Sequence, residues 1–470
     1  MQKGFSNELS IRNDWRTMNA RDIVLTMCLK INEDKLPSHV VINETLKIYK
    51  DLNKQDRAFI SRLCLGVLEQ KLRLDYDLER FSKIKVKKMK PVIRNVLRIA
   101  AYQIEFMDQI PDSAACDEAV KLVKKRGLGG LSGFVNGILR NLSREFQKKN
   151  GFDISTMNEI EKLSYQYSMP KDLVEFWLKS YNKEQVEEML QAFLMTQDTS
   201  IRINESKISI DELVKCLESE GIEVKDGAYL ANAKKISSYN SLTSLDSFQK
   251  GYFQVQDESS MMVGTIAGIK AGDYIIDVCA APGGKTLHAA ELLLMANGGK
   301  NLGLVDARDK TEKKVALIEQ NLERTGYQNV SVKVFDALVF DESAKEKADI
   351  ILADLPCSGL GVIGKKPDIK YNMTKEMMSE LAKLQREILT VIVSYLKPGG
   401  VLIFSTCTIN PEENEENVRF ISEKLKLQPE SIDTYLPEKL QCETSKLGYL
   451  QLLPDKSGVD GFFISRFRKV

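Results

Sequence analysis

The chain has 470 residues, of which 43% are hydrophobic and 28% charged, with eight cysteines, two histidines and a formal net charge of +1 at pH 7. The length predicts roughly two to four domains, and no apolar run of about 18 residues predicts a membrane span. The near-neutral charge excludes a globally basic protein, and the scattered cysteines and scarce histidines exclude a disulfide framework and a metal site.

The N-terminal third is predicted to be a helical domain. Residues 1–16 mix charged and polar side chains without an apolar central run, which predicts no secretory signal, a cytoplasmic protein and no membrane partner. Apolar positions at three- and four-residue spacing follow, for example over 20–31 and 59–68. They predict an all-helical first domain over residues 1–150.

Basic side chains are concentrated in two parts of this helical domain. We call them the basic cluster, and its members are Lys83, Lys85, Lys87, Lys88, Lys90, Arg94, Arg98, Lys121, Lys124, Lys125 and Arg126. Such a cluster is either a solvated helix face balanced by nearby acids or a surface that docks RNA phosphates. The sequence leaves both interpretations open.

The remaining chain shows two further patterns. Helical stretches over 173–195 and 210–220, with an extended segment over 199–204, predict a small α/β connecting domain over residues 151–250. From residue 251 to 470, short β-branched runs alternate with helical stretches; the runs are 274–278, 302–305, 330–335, 349–353 and 401–404. This alternation predicts an α/β fold with a doubly wound, mostly parallel sheet.

A loop of small residues follows the first of these predicted strands and leads into a helix. It consists of Cys279, Ala280, Ala281, Pro282, Gly283, Gly284 and Lys285. A Walker phosphate-binding loop requires glycine at position 279, and the dinucleotide fingerprint requires glycines at positions 279 and 281, so neither motif is present. We therefore expect a nucleoside ligand without a pyrophosphate, held by what we call the cofactor loop.

Carboxylates are predicted at the ends of the next strands. Asp306 is expected to accept hydrogen bonds from ribose hydroxyls, and Asp336 from an adenine amino group. Open α/β sheets bind ligands at the carboxyl ends of their strands, where these acids and Asp354 fall. A single strand-end aspartate is more often a helix cap, but three in series favour a binding site.

Two cysteines, Cys357 and Cys407, follow the fourth and fifth predicted strands in polar or proline-bearing turns. This is where an α/β enzyme carries its chemistry, whereas a buried cysteine is usually a small apolar residue. The second interpretation is given to Cys28, Cys64, Cys116, Cys216 and Cys442. A helix is predicted to begin at Asn410, with Glu413 completing a capping box.

These motifs resemble those of the RNA cytosine-5 methyltransferase superfamily. The resemblance covers nearly the whole chain and rests on Asp-Val-Cys-Ala-Ala-Pro-Gly-Gly-Lys-Thr at 277–286, Asp-Leu-Pro-Cys-Ser-Gly at 354–359 and Thr-Cys-Thr at 406–408 followed by Pro-Glu-Glu-Asn. Segments 57–66 and 134–140 resemble NusB-type RNA-binding domains. This pairing of domains is similar to that of bacterial 16S ribosomal RNA methyltransferases of the RsmB/Sun type.

The resemblance implies a Rossmann-like methyltransferase fold and S-adenosylmethionine as cofactor. It implies cofactor contacts at the cofactor loop and at the aspartates 306, 336 and 354, a nucleophilic Cys407, and a product-release role for Cys357. Because thiolate addition at carbon 6 of cytosine needs assistance at N3, Asp354 is the predicted acid. No metal is required.

The predicted partner is 16S ribosomal RNA, unassembled or partly assembled, and a monomer is expected. Three alternatives stay open: a transfer RNA target, a non-catalytic RNA-binding assembly factor, and a DNA cytosine methyltransferase in which Cys357 would be the nucleophile.

Overall fold

The structure is a computed structural model that describes residues 19–49, 51–149 and 152–470. The expectations for residues 1–16 lie outside the described residues. Contacts divide the chain into two compact units, which we call the helical unit (Met1–Leu194 with Ile363–Asn372) and the sheet unit (Met195–Val362 with Met373–Val470). No helix among the described residues combines the length and apolar character needed to cross a membrane.

The helical unit is built from amphipathic helices, the first seven of which share one apolar core. Asn53 caps α3 by accepting a hydrogen bond from the Asp56 N–H, and Pro91 opens α5, whose buried face includes Val96 and Leu97. The helices are α1 Ala20–Asn32, α2 Ser38–Ile48, α3 Lys54–Glu69, α4 Lys71–Glu79, α5 Pro91–Phe106, α6 Asp112–Lys125, α7 Ser132–Lys149, α8 Glu159–Gln166, α9 Lys171–Trp177 and α10 Lys183–Ala192. The helical first part of the chain is confirmed.

One helix predicted from the sequence is two helices in the structure. Residues 173–195 were expected to form a single helix, but α9 ends at Trp177 and α10 begins at Lys183. The Asn182 side chain accepts a hydrogen bond from the Gln185 N–H, and the Gln185 side chain accepts one from the Asn182 N–H. This capping box starts a new helix and explains the break.

The sheet unit begins with a four-stranded antiparallel sheet in the order β2-β3-β1-β4. Its apolar face, which includes Ile201, Ile236 and Phe253, packs against Leu213 of α11. The elements are β1 Thr199–Ile203, α11 Ile210–Ser219, β2 Glu223–Asp226, β3 Ala233–Ser237, α12 Asp246–Gln249 and β4 Phe253–Val255.

The second sheet of this unit has eight strands, with β10-β12-β9-β8-β5-β6-β7 in order and β11 beside β12. Strands β9, β8, β5, β6 and β7 are parallel, and β12 is antiparallel to β9. The elements are α13 Glu258–Ala267, β5 Tyr274–Asp277, α14 Gly284–Ala296, β6 Leu304–Asp309, α15 Glu312–Thr325, β7 Val330–Val334, β8 Ala348–Asp354, α16 Ile369–Asn372 (in the helical unit), α17 Lys375–Ile392, β9 Leu396–Thr406, α18 Glu415–Glu423, β10 Gln428–Pro429, α19 Glu443–Lys446, β11 Tyr449–Leu452 and β12 Phe462–Arg468.

The eight-stranded sheet is buried on both faces. Successive strand residues point to opposite faces, so that Ile275 packs in one apolar cluster with Leu287 and Ile276 packs in another with Leu389. The chain continues from β5 to β6 and β7 on one side and then from β8 to β9 on the other. The predicted doubly wound, mostly parallel sheet is therefore confirmed, and β5 and β8 flank the point at which the strand order reverses.

The three-domain division over 1–150, 151–250 and 251–470 stays a prediction. Contacts assign the helices α8, α9 and α10 to the helical unit, although the sequence pattern grouped these residues with the strands that follow.

Candidate active site

The cofactor loop leaves the carboxyl end of β5 and is held against the end of β6. The Ala280 N–H donates to the Arg308 carbonyl at 2.9 Å, and the Ala281 N–H donates to Asp309 Oδ2 at 3.1 Å. Gly283 has a φ of 107°, a conformation that favours glycine, and the next residue opens α14. The loop thus combines small side chains with a helix start at the edge where the strand order reverses.

The structure does not place Asp306 at a strand end. Strand β6 continues to Asp309, so Asp306 lies inside the strand, level with Ile276 of β5. Its carboxylate accepts hydrogen bonds from Tyr274 Oη at 3.0 Å and from Arg308 Nη2 at 2.6 Å. The expectation of a strand-end carboxylate at Asp306 was wrong, because these partners allow a charged side chain within the strand.

Asp309 occupies the position that the sequence interpretation gave to Asp306. It ends β6, is buried, and touches the cofactor loop through Ala281. Lys314 Nζ lies 3.1 Å from its carboxylate. The signal that could have identified it is Thr311, which caps α15 and therefore requires the strand to end shortly before it.

Asp336 lies two residues beyond the end of β7, as expected for a strand-end carboxylate. Its side chain accepts a hydrogen bond from the Leu338 N–H at 3.1 Å and forms a 2.8 Å ion pair with Lys310. The hydrogen bond with Lys310 is the main reason that its pKa is lowered. This carboxylate stays ionised and partly exposed.

The Asp277 carboxyl and the Cys279 thiol, at the start of the cofactor loop, both have raised pKa values that favour their neutral forms. Burial raises the pKa of Asp277 to about 7, although the Thr286 hydroxyl donates to it at 2.6 Å. Burial, together with the nearby aspartates, also raises the pKa of the Cys279 thiol. Cys279 is therefore not activated as a nucleophile.

Asp354 ends β8 and links the cofactor loop to the fifth parallel strand. Lys285 Nζ donates to Asp354 Oδ2 at 2.7 Å, and the Ser405 hydroxyl donates to Oδ1 at 2.8 Å. Both contacts hold the carboxylate at the strand ends, next to the turns that carry the two cysteines. The sequence identified Lys285 and Asp354, but not that they form an ion pair.

The structure brings Cys357 and Cys407 together at neighbouring strand ends, with 3.2 Å between their sulfur atoms. The hydrogen bond with Cys407 and then burial raise the pKa of Cys357 well above its usual value, and the negative charges of Glu413 and Asp354 act in the same direction. Cys357 therefore keeps its proton at neutral pH.

The helix after Cys407 starts later than predicted. It begins at Glu415 rather than at Asn410, and residues 411–414 form turns. The Glu413 side chain accepts a hydrogen bond from the Asn410 side chain, and not from its backbone as a capping box requires. The predicted helix start at Asn410 was wrong.

The other cysteines differ from one another. Cys28, Cys64 and Cys116 are buried, as predicted, whereas Cys216 is half-buried and Cys442 is exposed. The prediction was wrong for Cys442, which precedes the short helix α19 at the surface. No group of three or more His, Cys, Asp or Glu side chains in the described part of the chain is arranged to hold a metal ion.

About half of the basic cluster is engaged in ion pairs within the helical unit. Carboxylates pair with Lys85, Arg94, Arg98, Lys121, Lys125 and Arg126. The other five members are exposed and none of them pairs with a carboxylate of the described residues; they are Lys83, Lys87, Lys88, Lys90 and Lys124. Four of the five lie between α4 and α5.

Three family models match the chain. Residues 265–468 match "16S rRNA methyltransferase RsmB/F", residues 18–144 match the "NusB family", and residues 169–242 match the "Methyltr_RsmF/B-like, ferredoxin-like domain".

Two bacterial relatives are each named "Probable ribosomal RNA small subunit methyltransferase B". The protein from Bacillus subtilis is 37% identical over 96% of this chain and 99% of its own length. The protein from Synechocystis sp. is 32% identical over 96% of this chain and 100% of its own length. Both relatives therefore align from end to end.

Two solved structures share the fold. The crystal structure of PH0851 superposes with a TM-score of 0.79 at 24% identity, over 96% of this chain and 99% of that one. The structure of NSun6 from Pyrococcus horikoshii with SFG, an S-adenosylmethionine analogue, has a TM-score of 0.57 at 26% identity and covers 65% of this chain and 100% of that one.

Proposed function

The chain belongs to the 16S rRNA methyltransferase RsmB/F family, and from this membership we propose that it methylates carbon 5 of a cytosine in 16S ribosomal RNA through a covalent bond between Cys407 and the base. The observation that carries the proposal is the cysteine pair, with sulfur atoms 3.2 Å apart at the ends of β8 and β9. A methyltransferase that methylates an oxygen or an exocyclic nitrogen needs no such pair, because these atoms can attack the methyl group directly.

The chemistry of cytosine explains why a thiol is needed. Carbon 5 of the ring is not nucleophilic enough to accept a methyl group directly. When the Cys407 thiolate adds at carbon 6, the ring becomes an enamine whose carbon 5 is nucleophilic. Asp354 assists by protonating or hydrogen-bonding N3, and Lys285 and Ser405 keep its carboxylate in place.

Release of the product requires a base. The proton on carbon 5 is removed, its electron pair forms the bond between carbons 5 and 6, and Cys407 leaves as a thiolate. While Cys407 is bonded to the ring, the Cys357 thiol loses its proton to solvent, and the resulting thiolate accepts the proton from carbon 5 and becomes a thiol again. Its sulfur–sulfur hydrogen bond is the largest cause of its raised pKa, and this cause disappears when Cys407 is bonded to the ring.

Cys407 rather than Cys357 is proposed as the nucleophile because its turn, Thr-Cys-Thr at 406–408 followed by Pro-Glu-Glu-Asn, resembles the superfamily motif that carries the nucleophile. The arrangement expected for a DNA cytosine methyltransferase would give that role to Cys357, and the two assignments differ in which cysteine variant forms an adduct.

The donor set at the strand ends fits S-adenosylmethionine, which supplies an electrophilic methyl group when bound. We propose that the cofactor loop binds it together with the carboxylates of Asp309 and Asp336, because carboxylates accept hydrogen bonds from ribose hydroxyls and an adenine amino group. The glycine turn at Gly283 brings backbone close to the ligand. Asp309 is proposed in place of Asp306 because it ends β6 and touches the cofactor loop. Asp306 lies inside the strand, where its Oδ2 accepts hydrogen bonds from both Tyr274 and Arg308.

The helical unit is proposed to dock the RNA through the exposed lysines between α4 and α5. The ring face at carbon 6 is blocked when a base is stacked, so the target cytosine must be extruded. A single-stranded or loosely structured region of unassembled or partly assembled 16S RNA meets this requirement best. The protein is proposed to bind this RNA as a monomer.

The test is the identity of the methylated nucleoside. The purified protein is incubated with S-adenosylmethionine labelled in its methyl group and with 16S RNA or transfer RNA in parallel, and each RNA is digested to nucleosides. Labelled 5-methylcytidine from 16S RNA is expected, with none from the Cys407→Ser variant. A different methylated nucleoside, or label found only in transfer RNA, would reject the proposal.

A further inference from the structure

A buried carboxylate, Glu413, lies between the turns that carry Cys357 and Cys407. Its side chain is fully buried, and burial raises its pKa. Of the lysines, arginines and histidines that the structure describes, none forms an ion pair with it. An unpaired buried carboxylate is costly, so its retention here calls for an explanation other than stability.

Four hydrogen bonds reach this carboxylate, and each comes from a neutral donor. The Ser358 N–H donates to Oε2 of Glu413 at 2.9 Å, and the Ser358 hydroxyl donates to Oε1. The Asn410 amide donates to Oε1 at 2.9 Å, and the Gln385 amide donates to Oε2 at 3.0 Å. Both oxygens of Glu413 are therefore acceptors.

The two amides cannot reverse their orientation without losing other hydrogen bonds. Oδ1 of Asn410 accepts from the Glu412 N–H at 3.1 Å, and Oε1 of Gln385 accepts from the Asn417 amide at 2.7 Å. The donors that face the carboxylate are thus fixed. A glutamine at position 413 would present its own amide hydrogens to a donor in either orientation.

The hydrogen bonds of Glu413 connect the two cysteine turns. Ser358 directly follows Cys357, and its hydroxyl lies 2.7 Å from that of Thr408, which directly follows Cys407. If the Ser358 hydroxyl donates to Glu413, it accepts from Thr408. One chain of hydrogen bonds therefore runs from the Cys407 turn through the Cys357 turn to the carboxylate.

The turn that carries Cys357 depends on Glu413 more than the other turn does. Two of the four hydrogen bonds go to Ser358, the immediate neighbour of Cys357. The Cys407 turn has anchors of its own, since Asn414 accepts from the Thr406 hydroxyl at 2.6 Å and donates to the Thr408 carbonyl at 3.0 Å.

We propose that Glu413 is a positioning residue for release of the methylated base: it acts through Ser358 to hold the Cys357 sulfur beside Cys407. This inference rests on the proposed function. In the release step the Cys357 thiol first loses its proton to solvent, and its thiolate then takes the proton from carbon 5. The electron pair left on carbon 5 forms the double bond between carbons 5 and 6, the bond between carbon 6 and the Cys407 sulfur breaks, and that sulfur leaves as a thiolate. Without Glu413 the Cys357 sulfur is misplaced, so the proton on carbon 5 is not removed and the covalent intermediate persists.

The variant Glu413→Gln tests this proposal, with wild type and Cys357→Ser measured in parallel. We expect multiple-turnover methylation of 16S RNA to fall by about 10-fold or more. We also expect the fraction of protein in a denaturation-resistant RNA adduct to rise towards that of Cys357→Ser. Circular dichroism measures how much of each variant is folded. If Glu413 had only a structural role, the adduct fraction of the folded protein would not change. Glu416→Gln, an exposed neighbour in α18, is the matched control and should behave as wild type.

Ser358→Ala provides a second variant if Glu413→Gln does not fold. It removes only the hydroxyl hydrogen bond and should raise the adduct fraction by a smaller amount. Wild-type turnover in Glu413→Gln, or lost turnover without adduct in whichever of the two variants folds, would overturn the role of Glu413. Failure of wild type to form 5-methylcytidine, or of Cys357→Ser to form an adduct, would reject the proposed function instead.

Discussion

Asp306 and Asp309 are three residues apart, yet only Asp309 ends strand β6 beside the cofactor loop. The sequence interpretation ended the strand too early because Asp306 and Arg308 resemble the polar residues that follow a strand. The two side chains form an ion pair with each other, and the Asp306 carboxylate also contacts Tyr274 and Lys333, which come from two other strands. A partner contributed by another element leaves no local signal in the sequence.

The two aspartates should therefore respond differently to amidation. Asp309→Asn removes a charged acceptor for ribose hydroxyls, and we expect the dissociation constant for S-adenosylmethionine to rise by about 10- to 100-fold, equivalent to about 1.5–3 kcal/mol. Asp306→Asn should change that constant less than about twofold while lowering stability by ~2 kcal/mol, because Arg308 keeps Asp341 as a partner. Isothermal titration calorimetry and denaturant unfolding measure the two effects. The reverse pattern would return the cofactor role to Asp306.

Asp277 gives a prediction about pH. Its pKa is about 7 in the folded protein, against 3.8 as the ordinary value, so folding favours its protonated form. The stability that this proton contributes is complete below pH 4 and is lost as the pH rises to about 7. Asp277→Asn is neutral at every pH and does not undergo this loss.

The stability of Asp277→Asn minus that of wild type should therefore increase by about 2.5 kcal/mol between pH 5 and pH 8. Denaturant unfolding of both proteins across this range is the measurement. A difference that stays constant with pH would mean that Asp277 is ionised throughout.

Among the secondary-structure elements, the parallel strands and the two cysteine turns could be predicted from alternating apolar runs and from motifs that end them. The helix start at Asn410 could not. The residues from Asn410 to Glu413 satisfy a local capping pattern, but the Glu413 carboxylate binds Ser358 and Gln385 from other elements. Tertiary hydrogen bonds therefore determine this turn, and α18 begins at Glu415.

The segment between α4 and α5 carries four of the five lysines of the basic cluster that pair with no carboxylate of the described residues. The double variant Lys87→Ala/Lys88→Ala should weaken binding of 16S RNA and reduce the slope of log K against log salt by roughly 1.4–1.8, since each phosphate contact contributes about 0.7–0.9. Lys125→Ala should have a smaller effect, because Lys125 already pairs with Asp22. Filter binding at several salt concentrations measures both. An unchanged slope in the double variant would favour the solvated-face interpretation.

The whole chain combines a helical unit with a sheet unit whose candidate site residues lie at the carboxyl ends of the parallel strands. The fold class was predictable because every level of the pattern agreed, from periodicity to motif position. The boundary between the two units at Leu194 could not be predicted, because α8, α9 and α10 precede the first strand without a change in composition.

The most direct test of the account is a comparison of Cys357→Ser and Cys407→Ser, each incubated with 16S RNA and S-adenosylmethionine and then denatured. If Cys407 bonds to carbon 6 and Cys357 releases the product, Cys357→Ser should accumulate a protein–RNA adduct on a denaturing gel, and Cys407→Ser should form none. Adduct with Cys407→Ser but not with Cys357→Ser would contradict the assignment of the nucleophile.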